Sequence, residues 1–181
     1  MNKENFVTKN AISVDVEADG PAPGLFSIVS FGAVVIDGEH TKTFYGKVKP
    51  ISPNWNPSAL AISGHTRAEH ETFDDPTDVM TNFALWLREH CDGRPRFFCD
   101  NPGFDFGFIN YYFHRFYGSN PFGWSAFDTA RFYKGLRQDL RVTAKKLKTT
   151  KHTHHPVDDA KGNAEAVVAM SKLYNIKGLK F

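Results

Sequence analysis

Residues 11–20 read AISVDVEADG. Ile12, Val14 and Val16 alternate with Ser13, Asp15 and Glu17, the period of two that marks a strand with one apolar face. The other face carries two carboxylates, although acidic residues are poor strand formers. Residues i and i+2 project to the same side, so Asp15 and Glu17 stand together with side chains roughly 5–7 Å apart. Neighbouring carboxylates repel, and such a pair calls for a proton or a cation between them. Oxygen-only ligands suit Mg²⁺ or Mn²⁺ rather than zinc. Taken alone, the pair fits equally a solvated strand face with two ordinary charges.

Outward from this strand, FSIVSFGAVVI (26–36) is rich in β-branched residues, Asp37-Gly38 signals a turn, and KTFYGKV (42–48) reads as a third strand. Short connections predict an antiparallel meander. Pro50, Pro53 and Pro57 make the next stretch irregular. Asp74 or Asp75 can cap a helix over 76–90 with Pro76 in its first turn, and Val79, Phe83, Trp86 and Leu87 share a face. RFFC (96–99) is a short strand, and Phe108, Ile109, Tyr112 and Phe116 mark a helix after Asp105. Helices are expected over 127–135, 139–148 and 157–174. Strands first, then helices interleaved with strands, predict an α/β fold with a mixed sheet covered by helices.

The chain's 181 residues favour one domain, 1–181, with a sizeable core. A hydrophobic content of 41% and a charged content of 23% suit a soluble globular protein, and a net charge of +2 is too small to imply nucleic acid by itself. Cys91 and Cys99 form no CxxC pair and read as reduced thiols of a cytoplasmic protein. No apolar run reaches the ~20 residues of a membrane span. The opening MNKENFVTKN lacks the apolar core of a secretion signal and reads as a polar lead-in.

Two further acidic stretches draw attention. CDNPGFDFGF (99–108) places Asp105 after a strand and at a helix start, where it serves either as a ligand or as a helix cap; Asp100 reads as a turn residue. In HHPVDDAKGNAEAV (154–167), helical periodicity puts Asp158, Lys161, Glu165 and Lys172 on the wet stripe, and Asp159 with Asn163, Ala166, Val167 and Met170 on the core side. An inward carboxylate needs a partner. His154, just ahead, is a residue type that serves as a general base near neutral pH.

These three pieces together resemble the DEDDh group of 3′–5′ exonucleases, which includes ribonuclease T and polymerase proofreading domains on the ribonuclease H-like fold. Asp15-Val16-Glu17 matches the group's D-x-E, Asn101 to Asp105 matches its N-x-x-F-D-like element, and His154 with Asp159 matches its H, four residues, D. The pieces fall in family order across residues 15–159. His155 would require an acid at 160, which is Ala160. The resemblance implies two-metal phosphodiester hydrolysis. Two Mg²⁺ or Mn²⁺ ions would be held by Asp15, Glu17, Asp105 and Asp159, with His154 as general base, releasing nucleoside 5′-monophosphates from single-stranded 3′ ends. RNA is placed ahead of DNA, and a homodimer is among the expected partners.

The chain departs from the family after the glutamate, where Ala18-Asp19-Gly20 replaces a hydroxyl residue and backbone amides of Ala18 and Asp19 would have to serve the terminal sugar. Ser63-Gly64-His65-Thr66 resembles the family's Gly-Ile-Thr segment near the terminal nucleotide, with His65 in the apolar place. Phe26, Phe104 and Phe108 are candidates to stack on the terminal base. Residues 137–151 hold six Lys or Arg and one Asp. Lys145 and Lys146 there are candidate phosphate-backbone contacts, although a solvated helix face would look the same. Asp128, in Phe127-Asp128-Thr129, ranks below the four acids as a ligand. Two rival readings are a non-hydrolytic nucleic-acid binding module and a zinc phosphohydrolase using His152, His154, His155 and Asp158.

Overall fold

A computed structural model describes residues 10–178; all but Asn10 of the polar lead-in expected at the start lies outside the described residues. The alternating stretch forms β1 (Ala11–Ala18), which pairs antiparallel with β2 (Ile28–Val35), and β2 pairs antiparallel with β3 (Thr43–Lys47). This is the predicted meander. On its other side β1 runs parallel to β4 (Arg96–Cys99), which is parallel to β5 (Ala126–Asp128). The sheet order is therefore β3-β2-β1-β4-β5, with the acid-bearing strand in the middle.

Helices cover both faces. Ile12, Val14 and Val16 pack beneath α3 (Pro76–His90), α4 (Asp105–Tyr112) and the π-helical turn Phe113–Tyr117, in a core built on Phe31, Phe83, Phe97, Phe108 and Phe113. The opposite face packs Ala11, Val34 and Phe98 against α5 (Thr129–Arg137) and α6 (Pro156–Tyr174). Asp75 is the residue that caps α3, accepting from the Thr77 amide. Cys91 and Cys99 are not bonded to each other. No helix among the described residues is long and apolar enough to cross a membrane.

Local signals missed three features. The proline-interrupted stretch contains two short helices, α1 (Pro57–Ile62) and α2 (Arg67–His70). Residues 126–128 extend the sheet, and the helix expected from 127 starts at Thr129. The helix expected over 139–148 is absent apart from one 3₁₀ turn, Ala144–Leu147. Gln138 takes a left-handed backbone (φ 50°) that ends α5, and Asp139 then turns back onto the Arg141 amide and guanidinium. These local bonds compete with helical ones.

One close approach positions the acidic face. Gly32 is the cross-strand partner of Asp15 in the sheet register. A Cβ at Gly32 would lie 2.4 Å from the Pro156 carbonyl carbon and 2.4 Å from the Val157 nitrogen. Only a missing side chain lets the start of α6 settle beside Asp15. Gly32→Ala is expected to lower stability by about 1–3 kcal/mol or more, as overpacking does. Activity should fall with it, since Pro156 joins His154 to Asp159. A wild-type denaturation midpoint for this variant would mean the contact yields without cost.

Candidate active site

Asp15 and Glu17 leave β1 toward α6, and the register breaks between Glu17 and Ala18. A bulge there re-aims side chains at a strand end, as bulges beside sites often do. Asp159 sits in the first turn of α6, buried. Ligand oxygens of Asp15, Glu17 and Asp159 lie within 4.8 Å of one another. The inward aim read from periodicity therefore holds for Asp159. Asp158 is less buried and accepts from the Thr153 hydroxyl.

Asp105 reaches the same region by a different route. Pairing of β4 with β1 stops at Ser13, so the β1 edge beyond it is open. There the Val16 amide donates to Asp105 Oδ1 at 3.1 Å. Asp105 opens α4 without capping it, since the cap position is Phe104 with no side-chain bond. Its carboxylate is buried and its charge acts on Asp15, but it does not join the tight trio.

Crowding shifts Asp15, Glu17 and Asp105 the same way. Burial, and then the charges of Asp105, Asp159, Glu17 and Asp100, hold Asp15 well above the ordinary carboxylate range. Burial and Asp159 push Glu17 up to about 7. Burial and Asp100 raise Asp105 to about 8, against hydrogen bonds from Val16 and Asn101 that lower it. The folded chain thus holds protons that the unfolded chain releases near pH 4. Stability of the cation-free protein is expected to fall as pH rises from about 5 to 8, because the folded state binds more protons in that window. A divalent cation reverses this by stabilising the ionised carboxylates. In chelator Tm should drop between pH 5 and pH 8, and added Mn²⁺ should raise it more at pH 8. A larger Mn²⁺ effect at pH 5 would contradict this account.

The loop ahead of α6 is fastened from below. Glu165 accepts from the Thr149 amide at 2.6 Å, the Thr150 amide at 2.8 Å and the Thr150 hydroxyl at 2.7 Å. Burial alone would raise its pKa, but these donors hold it down at about 2. Asp159 in turn accepts from the amides of Thr153 (3.1 Å) and His154 (3.0 Å). His154 adopts a left-handed backbone (φ 60°) and keeps half its side chain exposed, with Nδ1 3.7 Å from Glu17 Oε1. His155 instead stacks beside Tyr45. His152 places Nδ1 2.8 Å from Asp159 Oδ2, its ring edge-on to His154 at 4.2 Å. The sequence reading missed both Glu165, assigned to the wet stripe, and His152 as a neighbour of Asp159. No spacing signal marks either. The four residues of the zinc reading do not converge, since His155 turns to Tyr45 and Asp158 to Thr153.

Other expected contacts fare unevenly. A cleft of about 360 Å³ beside Glu17 is lined by Ala18, Gly20, Asn56, Ile62 and Phe104. Phe104 lines that cleft, whereas Phe108 is fully buried and packs edge-on against Phe104 at 5.0 Å. Phe26 is partly buried against the core beside Gly20. Asp19 is not a substrate group: its amide donates to the Ser27 carbonyl, and its buried carboxylate takes the Ser27 amide and Arg67. Thr66 spends its hydroxyl on a reciprocal cap with Glu69 at the start of α2. Gly64 precedes it in a left-handed turn (φ 76°), and His65 packs edge-on against Phe73. Asp128 caps α5 through the Arg131 amide. In the basic run Lys145, Lys146 and Lys151 are exposed, whereas Lys148 turns inward to Asn163 Oδ1 and lies 3.8 Å from Asp100.

Comparison with known proteins bears on this arrangement. The family model described as the 3′–5′ exoribonuclease Rv2179c-like domain matches residues 10–171. The 3′–5′ DNA exonuclease Cap18 of Escherichia coli is 38% identical across 98% of this chain and 97% of its own length. Among solved structures, cell-death related nuclease 4 (CRN-4) superposes with a TM-score of 0.70 at 16% identity, covering 92% of this chain and 64% of that one. The zinc-bound E. coli ExoI–ssDNA complex gives 0.71 at 14% identity, over 91% of this chain and 41% of that one. The chain thus spans nearly all of Cap18 but well under half of ExoI. At such low identity the two structures speak to the fold, the ribonuclease H-like mixed sheet that the sequence predicts.

Proposed function

The chain belongs to the Rv2179c-like 3′–5′ exoribonuclease domain family, and from that premise we propose that it removes nucleoside 5′-monophosphates one at a time from single-stranded 3′ ends. The observation that carries the proposal is the trio Asp15, Glu17 and Asp159, whose ligand oxygens share a space 4.8 Å across. The raised proton affinities of Asp15 and Glu17 are those of carboxylates lacking a counter-charge, and an all-oxygen donor set fits hard divalent ions. Asp105, whose charge acts on Asp15, would extend the set toward a second ion. Bound there, Mg²⁺ or Mn²⁺ would supply positive charge against the scissile phosphate and acidify water beside it.

The residues of the chain do the rest. His154 stands at the solvent edge with Nδ1 leaning toward Glu17, which leaves Nε2 to take a proton from the attacking water. The water oxygen bonds to phosphorus and the bond from phosphorus to the 3′ oxygen breaks. The departing 3′ oxygen takes a proton from solvent, and the product keeps its 5′ phosphate. The cleft at Phe104 receives the terminal base, and Lys145 and Lys146 hold the upstream phosphates. All of these residues come from one chain, so the proposal does not call on a homodimer. Family description and whole-length relative divide over the polymer: the first says exoribonuclease, the second DNA exonuclease. The RNA-first order therefore has support on one side only.

Digestion of 5′-labelled single-stranded RNA and DNA tests this. A ladder shortening from the 3′ end with release of 5′-monophosphates is expected in Mg²⁺ or Mn²⁺, and none in chelator. Equal digestion in chelator, or fragments from internal cuts, would refute the proposal.

A further inference from the structure

We propose a second kind of metal site at the mouth of the carboxylate centre, formed by His152, His154 and Asp159, that takes a borderline-soft ion of the Zn²⁺ class and blocks turnover. One ring nitrogen from each histidine and one Asp159 oxygen lie within 4.8 Å of one another, and His152 Nδ1 is already 2.8 Å from Asp159 Oδ2. Ligands around tetrahedral zinc sit about 3.3 Å apart, given bonds of about 2.0–2.1 Å. The His152–Asp159 pair at 2.8 Å and the 4.8 Å span of the group are of that order. Both imidazoles are exposed, so an ion reaches them from solvent.

The chemistry of the donors separates the two sites. Imidazole selects zinc-like ions, whereas carboxylate sets suit Mg²⁺ and Mn²⁺. Three protein ligands leave a fourth position open to water. Glu17, 3.7 Å from His154 Nδ1, keeps the neighbourhood negative. The backbone is preset as well: the amides of Thr153 and His154 both donate to Asp159, so the loop that carries the imidazoles is tied to the carboxylate they would share. An ion held here engages His154, the proton acceptor of the proposed reaction, and diverts Asp159 from the carboxylate centre. Binding depends on the donor geometry alone; only the blockade rests on the nuclease reading.

The test measures Zn²⁺ affinity of the full chain by competition with a chromogenic chelator, for wild type, His152→Ala and Asp105→Asn. His152→Ala should weaken binding at least about tenfold, while Asp105→Asn, altered outside the His152, His154 and Asp159 group, stays near wild type. Wild-type affinity in His152→Ala overturns the site. So does an equal loss in Asp105→Asn, which would place the zinc among the carboxylates. In a second arm, Zn²⁺ is titrated into Mn²⁺-driven digestion by wild type and His152→Ala, each normalised to its own zinc-free rate. The inhibitory concentration should rise for His152→Ala by the same factor as the affinity falls; an unchanged concentration overturns the blockade. A wild type that binds zinc but never hydrolyses would count against the nuclease reading and leave the site standing.

Discussion

Asp15→Ala is expected to abolish hydrolysis while leaving the chain folded and, without cations, no less stable. Asp15 stands mid-strand in the centre of the sheet, facing Glu17 and Asp159 within 4.8 Å. Of the acids it feels the largest set of neighbouring charges, from Asp105, Asp159, Glu17 and Asp100. Removing it withdraws one of the carboxylates that would hold the ions. The rate should fall by well over the roughly hundredfold that even supporting groups around a metal cost. The same deletion relieves repulsion in the cation-free protein. Each kcal/mol gained this way raises Tm by about 2–4 °C in a chain of this size. Scanning fluorimetry in chelator should therefore show an equal or higher Tm for Asp15→Ala, and the stabilisation by Mn²⁺ should shrink. Digestion near the wild-type rate, or a variant that fails to fold, would show that Asp15 is an ordinary structural residue.

His154→Ala should behave differently. Loss of a general base costs roughly 10²–10⁴ in rate. The carboxylates remain, so Mn²⁺ should still raise Tm as in wild type, and the loss should fall on kcat rather than KM. Alanine is poorly suited to the left-handed backbone at this position, whereas asparagine tolerates it. His154→Asn therefore serves as the control for backbone strain: both variants should be slow, and the asparagine variant the more stable. Added imidazole should restore part of the rate. Wild-type turnover in either variant would remove His154 from the reaction, and a lost Mn²⁺ response would make it a ligand instead.

How far the residues could be read in advance varied with the kind of signal. Alternation in Ile12, Val14 and Val16 was enough to place a strand and to put Asp15 and Glu17 on one face. Helical spacing separated Asp159 from Asp158, because the covered stripe of α6 repeats over many residues. Phe108 shows the limit of such arguments. Its spacing marks a buried helix face while its ring type suits base stacking, and full burial excludes the second role. Asp19 was judged by its place in the chain after Glu17. What occupies it comes from afar, in Ser27 and Arg67.

From its own residues the chain determined the acidic strand, the meander, the mixed sheet and the inward face of the last helix. The strand and the helix face follow from periodicity within a single element, the meander from short connections, and the mixed sheet from the order of elements. Tertiary structure alone decided that Gly32 admits the start of α6 beside Asp15, that Glu165 holds the histidine loop, and that His152 rather than His155 joins Asp159. Loops have no repeating pattern, and their partners lie on elements remote in sequence, so their placement depends on how helices and sheet close around one another.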